Sequence, residues 1–94
     1  MELMANGVRY HIEVTGDEKR PVLVLLHGFT GSTATWHPVI EYWQDFRVVA
    51  IDLIGHGKTD SPRDAKRYAM ERQLEDLESI FRELKLSQFS LLGY

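Results

Sequence analysis

Two stretches of this chain carry residue types and spacings that can do chemistry. The first is Leu26-His27-Gly28-Phe29-Thr30-Gly31-Ser32, a loop with two glycines directly after an apolar run. A reaction that builds negative charge on oxygen needs backbone N–H groups that converge on one point and are not consumed by a strand ladder. A glycine-bearing strand exit can bend to present them. The N–H of Phe29 is the first such donor, with Gly28 and Thr30 shaping the loop and bordering the substrate. The second stretch, Gln88-Phe89-Ser90-Leu91-Leu92-Gly93-Tyr94, reads as an apolar strand entering the first two positions of Gly-x-Ser-x-Gly. That pattern is a strand-to-helix turn that exposes a nucleophilic serine, and the residue after the serine supplies a second donor. Tyr94 either lines the cavity beside the serine or packs within the turn. The chain therefore reads as the N-terminal piece of a longer enzyme, with the triad residues absent from these 94 positions.

Asp52-Leu53-Ile54-Gly55-His56-Gly57-Lys58-Thr59-Asp60 closes another apolar run. Glycines on both sides of His56 allow a sharp turn, and Asp52 can accept hydrogen bonds from that turn's backbone, so both residues are given structural roles. In a serine-elbow enzyme the histidine comes last in chain order. His11, His27, His37 and His56 all precede the elbow, so none is taken as the base. Their separations of 16, 10 and 19 residues lack the close spacing of a helix-borne zinc pair, so no metal is expected. His11 is assigned to the wet face of its strand.

These loops need elements to hold them. Val8, Tyr10, Ile12 and Val14 alternate with polar residues, the period of a strand with one wet face. Asn6-Gly7 before it favours a hairpin turn that pairs residues 2–5 with the strand. Val22 to Leu26 and Arg47 to Leu53 read as strands buried on both faces. Bulky apolar groups at 36, 39, 40 and 43 predict a short helix over Trp36 to Trp43, with Pro38 in its first turn. Trp36 and Trp43 are read as core or cap rather than ligand contacts. Met70, Leu74, Leu77, Phe81 and Leu84 fall at helical intervals, predicting an amphipathic helix over about 70–85 whose stripe covers the sheet. The order implies an α/β layer with parallel strands, in which ligands gather beyond the strands' carboxyl ends.

Composition bounds the partners. At 44% hydrophobic and 27% charged, the 94 residues match an ordinary globular chain, one domain at most and with an incomplete core. A net charge of −3 leaves no basic footprint for nucleic acid. The absence of cysteine leaves no disulfide framework, in keeping with a cytoplasmic location. The longest apolar run, Val22 to Leu26, is too short to span a bilayer, and the first residues lack a signal-peptide pattern.

Taken together, the order strand-His27-Gly28-Phe29, then Asp52-x-x-Gly55-His56-Gly57, a helix, and strand-Gly93-Tyr94 resembles the α/β-hydrolase superfamily over essentially the whole chain. The fold class this implies is the N-terminal portion of that fold: a β-hairpin, then parallel strands with flanking helices, ending just before the nucleophile elbow. Within the superfamily the chain looks most like the Bacillus-type 2-succinyl-6-hydroxy-2,4-cyclohexadiene-1-carboxylate synthases of menaquinone biosynthesis. The matching stretches include Gly7-Val8-Arg9-Tyr10, Leu26 to Ser32 with Trp36, Thr59-Asp60, Lys66-Arg67-Tyr68, Arg72-Gln73 and Leu84-Lys85-Leu86. The resemblance implies a lyase with a Ser-Asp-His triad and no cofactor, eliminating pyruvate from a small carboxylate substrate. It also implies that the missing C-terminal part is needed to complete the site. A carboxylic-ester hydrolase and a non-catalytic fragment that associates with its complementary piece are the alternatives. Epoxide-hydrolase and dehalogenase relatives usually show His-Gly-x-Pro, which Thr30 departs from. Ile54 stands where many relatives have proline, and Ala69 where they often have a capping Ser or Thr.

Overall fold

The computed structural model describes residues 1–93. Strand β1 (Glu2–Ala5) turns into β2 (Val8–Thr15) through Asn6 and Gly7, at φ 49° and 85°. Two positive φ values define a type I′ turn, whose twist matches that of the flanking strands. The β-branched runs form β3 (Val22–Leu26) and β4 (Arg47–Ile51), and the final strand β5 covers Ser90–Gly93. The five strands lie in the order β1-β2-β4-β3-β5. The hairpin joins β4 antiparallel, while β4, β3 and β5 run parallel. Leu26 of β3 therefore sits level with both Ile51 of β4 and Gly93 of β5. β3 and β4 release their loops at the same end of the sheet, the end at which β5 finishes.

Both faces of the central strands are buried, as their unbroken apolar runs require. Val24, Val49 and Ile51 pack on one face with Tyr10, Ile12 and Ile80. Leu23, Leu25, Val48 and Ala50 pack on the other with Trp36, and Trp43 borders that cluster. Both tryptophans are thus core or core edge.

The helix expected over Trp36 to Trp43 is instead two 3-10 turns, Thr33–Trp36 and Ile40–Trp43. Ser32 accepts from the Ala34 N–H and Thr35 accepts from the Ser32 N–H, a capping box that starts the segment at Thr33. Pro38 then falls beyond the first turn, where its missing N–H and its ring interrupt a helix.

Helix α1 (Met70–Glu83) forms where expected, but rotated about its axis. Its buried residues are Asp76 and Ile80, flanked by the half-buried Leu77 and Phe81. Leu74 is 57% exposed and Met70 is also exposed, so the sequence-predicted stripe is only partly core. The rotation follows from Asp76, whose carboxylate accepts from Tyr10 Oη at 2.6 Å, Asn6 Nδ2 at 2.9 Å and Arg67 Nη2 at 2.7 Å. Leu74 borders an apolar groove of about 630 Å³ formed with Leu77, Phe81, Phe89 and Leu91. Among the described residues β5 pairs only with β3, so nothing closes that groove.

His11 also departs from the sequence reading. Glu2 lies directly opposite it in the hairpin, and its ring is held between the carboxylates of Glu2 (3.2 Å) and Glu13 (3.3 Å), leaving 11% of the side chain exposed. No helix among the described residues is long and apolar enough to cross a membrane.

Candidate active site

The loop after β3 is a hydrogen-bonded turn. The Gly31 N–H donates to the Gly28 carbonyl at 2.9 Å, with Phe29 and Thr30 between them. Thr30 has φ 68° and Phe29 is not in the positive region, a pair of signs that defines a type II turn. Glycine or asparagine ordinarily takes the second central position, so a β-branched threonine there is strained. Gly31 is the only residue that fits its place: a Cβ would lie 2.9 Å from both His27 Cβ and Thr35 Oγ1. The Phe29 ring is 90% exposed and stands edge-on to His56, with centroids 6.1 Å apart. The Phe29 N–H makes no hydrogen bond among the described residues.

His27 is buried at the base of this loop. Its Nε2 accepts from the Leu53 N–H at 2.9 Å, and its Nδ1 lies 2.8 Å from the Gly28 carbonyl oxygen. A carbonyl can only accept and a backbone N–H can only donate, so the ring is the neutral tautomer with its proton on Nδ1. Both nitrogens are occupied, which bars this residue from general-base work.

The loop after β4 is braced by Asp52, as the sequence suggested. Its buried carboxylate accepts from the Lys58 N–H at 2.8 Å, and its carbonyl accepts from Thr59 Oγ1 at 2.6 Å. It also accepts from the Thr33 N–H at 2.6 Å, tying the β3 and β4 loops together. Gly57, at φ 51°, packs so closely that a Cβ would lie 2.3 Å from the carboxylate. His56 Nδ1 donates to the Ile54 carbonyl at 3.0 Å, a structural bond like those of Asp52. Ile54 is buried in the core despite standing where proline is frequent in the superfamily.

Of the sequence-predicted residues, Gly28, Phe29 and Thr30 form one turn at the carboxyl end of β3, level with the exit of β5. Tyr94 lies outside the described residues. Sequence reasoning missed the bond from His27 to Leu53 and that from Asp52 to Thr33, since both depend on partners 26 and 19 residues away. Among the described residues no group of three or more His, Asp or Glu is placed to hold a metal ion. The arrangement leaves an unused backbone N–H at the carboxyl end of β3, level with the end of β5.

The family model for the alpha/beta hydrolase fold matches residues 21–94. The chain belongs to the α/β-hydrolase family. A Bacillus subtilis (strain 168) protein named for 2-succinyl-6-hydroxy-2,4-cyclohexadiene-1-carboxylate synthase is 44% identical over 91 residues, covering 97% of this chain and 33% of that protein. Epoxide hydrolase 3 of Xenopus tropicalis is 38% identical over 90 residues, covering 95% of this chain and 24% of that one. Among solved structures, the epoxide hydrolase VrEH1 from Vigna radiata superposes with a TM-score of 0.91 at 27% identity, covering 100% of this chain and 30% of that chain. This α/β-hydrolase chain thus spans between about a quarter and a third of the length of these relatives.

Proposed function

We propose that the intact protein is a cofactor-free lyase that eliminates pyruvate from 2-succinyl-5-enolpyruvyl-6-hydroxy-3-cyclohexene-1-carboxylate, and that this chain supplies half of its oxyanion hole. The observation that carries the reading is the unused Phe29 N–H in a turn at the carboxyl end of β3, level with the end of β5. The 44% identity to the Bacillus subtilis protein supports the choice of substrate. A serine following β5, activated by a histidine further along, removes a ring proton. The electrons form a new ring double bond, the existing ring double bond shifts by one position, the bond from the ring carbon to the enolpyruvyl oxygen breaks, and the leaving enolate takes a proton at carbon from the histidine to become pyruvate. The Phe29 N–H and a second backbone donor stabilise the negative charge that develops on oxygen. Gly28 and Thr30 border the substrate, and Tyr94 is assigned to the cavity wall. The portion of the protein beyond β5 is the partner this chain requires, and we place the enzyme in the cytoplasm, with which the absence of cysteine from these 94 residues is compatible.

Thr30 weighs against the epoxide-hydrolase alternative that the similarity of those relatives raises. A proline ring holds φ near −65° and cannot take the φ of 68° that this turn requires at position 30. Ester hydrolysis through an acyl-enzyme uses the same donor and is the second reading. The test is to express the reading frame through and beyond codon 94 and to assay pyruvate release and ester hydrolysis side by side. Pyruvate release with appearance of the cyclohexadiene supports the lyase. Ester turnover with no elimination rejects it.

A further inference from the structure

We infer that His27 is a positioning residue for the oxyanion donor, acting through the far end of the donor's own peptide group. The inference rests on the reading of the Phe29 N–H as that donor. The Phe29 nitrogen and the Gly28 carbonyl belong to one planar unit, and among the described residues there are no cis peptide bonds. In a trans peptide the C=O and N–H point in opposite directions, so whatever fixes the oxygen also aims the hydrogen. The Gly28 oxygen is fixed twice, by His27 Nδ1–H at 2.8 Å and by the Gly31 N–H at 2.9 Å. Two donors on that oxygen leave the Phe29 N–H facing away from the turn, without a partner and ready for one. They also polarise the peptide, which strengthens its remaining donor.

His27 can do this because its ring is anchored at the other side. The Leu53 N–H reaches Nε2 at 2.9 Å, and the His56 ring packs against the imidazole at a centroid distance of 4.8 Å, tilted by 54°. The loop after β4 therefore sets the angle of the imidazole, and the imidazole sets the angle of the Gly28–Phe29 peptide. A histidine kept only to fill space at a strand exit has no need of a bond to this particular carbonyl.

Two substitutions separate the bonds. His27→Asn places an amide N–H where Nδ1 stood and keeps the bond to Gly28, but does not reach Leu53. His27→Gln places an acceptor near Nε2 and keeps the bond to Leu53, but offers nothing at the Nδ1 position. Both lose the ring and should lose similar thermal stability. In the intact protein, kcat for pyruvate release should fall about a hundredfold in His27→Gln, the scale of a lost oxyanion contact. His27→Asn should recover about tenfold or more of that loss, with KM little changed in either. Gly28-Phe29 is the only Gly-Phe pair in the sequence. Glycine labelled with 13C at the carbonyl and phenylalanine labelled with 15N therefore mark this one peptide among the 94 residues, and in the intact protein its resonance is the one lost from the 13C–15N pairs in Phe29→Ala. Its carbonyl resonance should move in His27→Gln and stay near the wild-type position in His27→Asn. Equal loss of kcat in the two variants, or a Gly28 resonance that ignores the substitution, overturns the inference. A wild-type protein that releases no pyruvate overturns the proposed reaction, and the Gly28 resonance then decides the role of His27 alone.

Discussion

Leu26 and Gly93 face each other across the parallel pairing of β3 with β5, so the turn bearing Phe29 leaves the sheet level with the last described residue of β5. The same pairing places β5 at an edge among the described residues, with Ser90, Leu91, Leu92 and Gly93 all exposed. An exposed apolar edge strand beside an open apolar groove is a template for association. A polypeptide of these 94 residues expressed alone should therefore aggregate or self-associate and show no triad-dependent turnover. Sedimentation velocity and the pyruvate assay check this, and a soluble, active 94-residue monomer would refute it.

Asp52 accepts from two backbone N–H groups, the buried one of Thr33 and the part-buried one of Lys58, and Gly57 closes over its carboxylate. Asp52→Ala should destabilise the protein by about 2–4 kcal/mol, because both donors lose their acceptor. Asp52→Asn should cost about 1–3 kcal/mol, since its NH2 must face one of those donors. Urea unfolding measures both. A cost below that range for the alanine variant would mean that other groups brace the two loops.

Asp76 is fully buried and should show the largest pair coupling. Burial pushes its carboxyl upward, but the hydrogen bonds from Arg67, Tyr10 and Asn6 outweigh that and hold it below its ordinary value. Burial, and then the bond to Asp76, push the Tyr10 phenol above its usual range. A carboxyl depressed in the folded state contributes stability that is complete above its unfolded pKa, about 3.9, and is lost as pH falls through the lower folded value. Stability should therefore drop on acidification below about pH 4, and Asp76→Asn should flatten that part of the curve. Arg67→Met, which leaves the carboxylate without its cation, should cost about 3–5 kcal/mol, and adding Asp76→Asn, which removes the charge but keeps an acceptor for Tyr10, should recover part of it. Additive effects in this double-mutant cycle would show that the pair is not coupled.

Much of this fold was legible because its signals are local. Alternation along Val8 to Val14, β-branched runs in β3 and β4, and Asn6-Gly7 each specify their own backbone, and the glycine loops mark where β3 and β4 end. What was not legible depends on distant partners. Asp76 sits on what reads as a polar flank of α1 until Arg67, Tyr10 and Asn6 converge on it, and its burial turns Leu74 outward. The helix expected at Trp36 divides because the cap at Ser32 shifts the start, and with it the position of Pro38. At the candidate site, the turn that carries Phe29 and the bracing by Asp52 follow from loop chemistry. The strained φ of Thr30 and the bonds of His27 follow only from how two loops meet.

The most direct measurement removes the donor while keeping the turn. Proline is favoured at the first central position of a type II turn and has no N–H. Phe29→Pro in the intact protein should therefore retain the melting temperature of Phe29→Ala, which keeps the N–H and reports on loss of the phenyl ring alone. Relative to Phe29→Ala, kcat for pyruvate release should be about a hundred to a thousandfold lower. Equal kcat values for the two variants would contradict the account, because the Phe29 N–H would then have no part in stabilising the oxyanion.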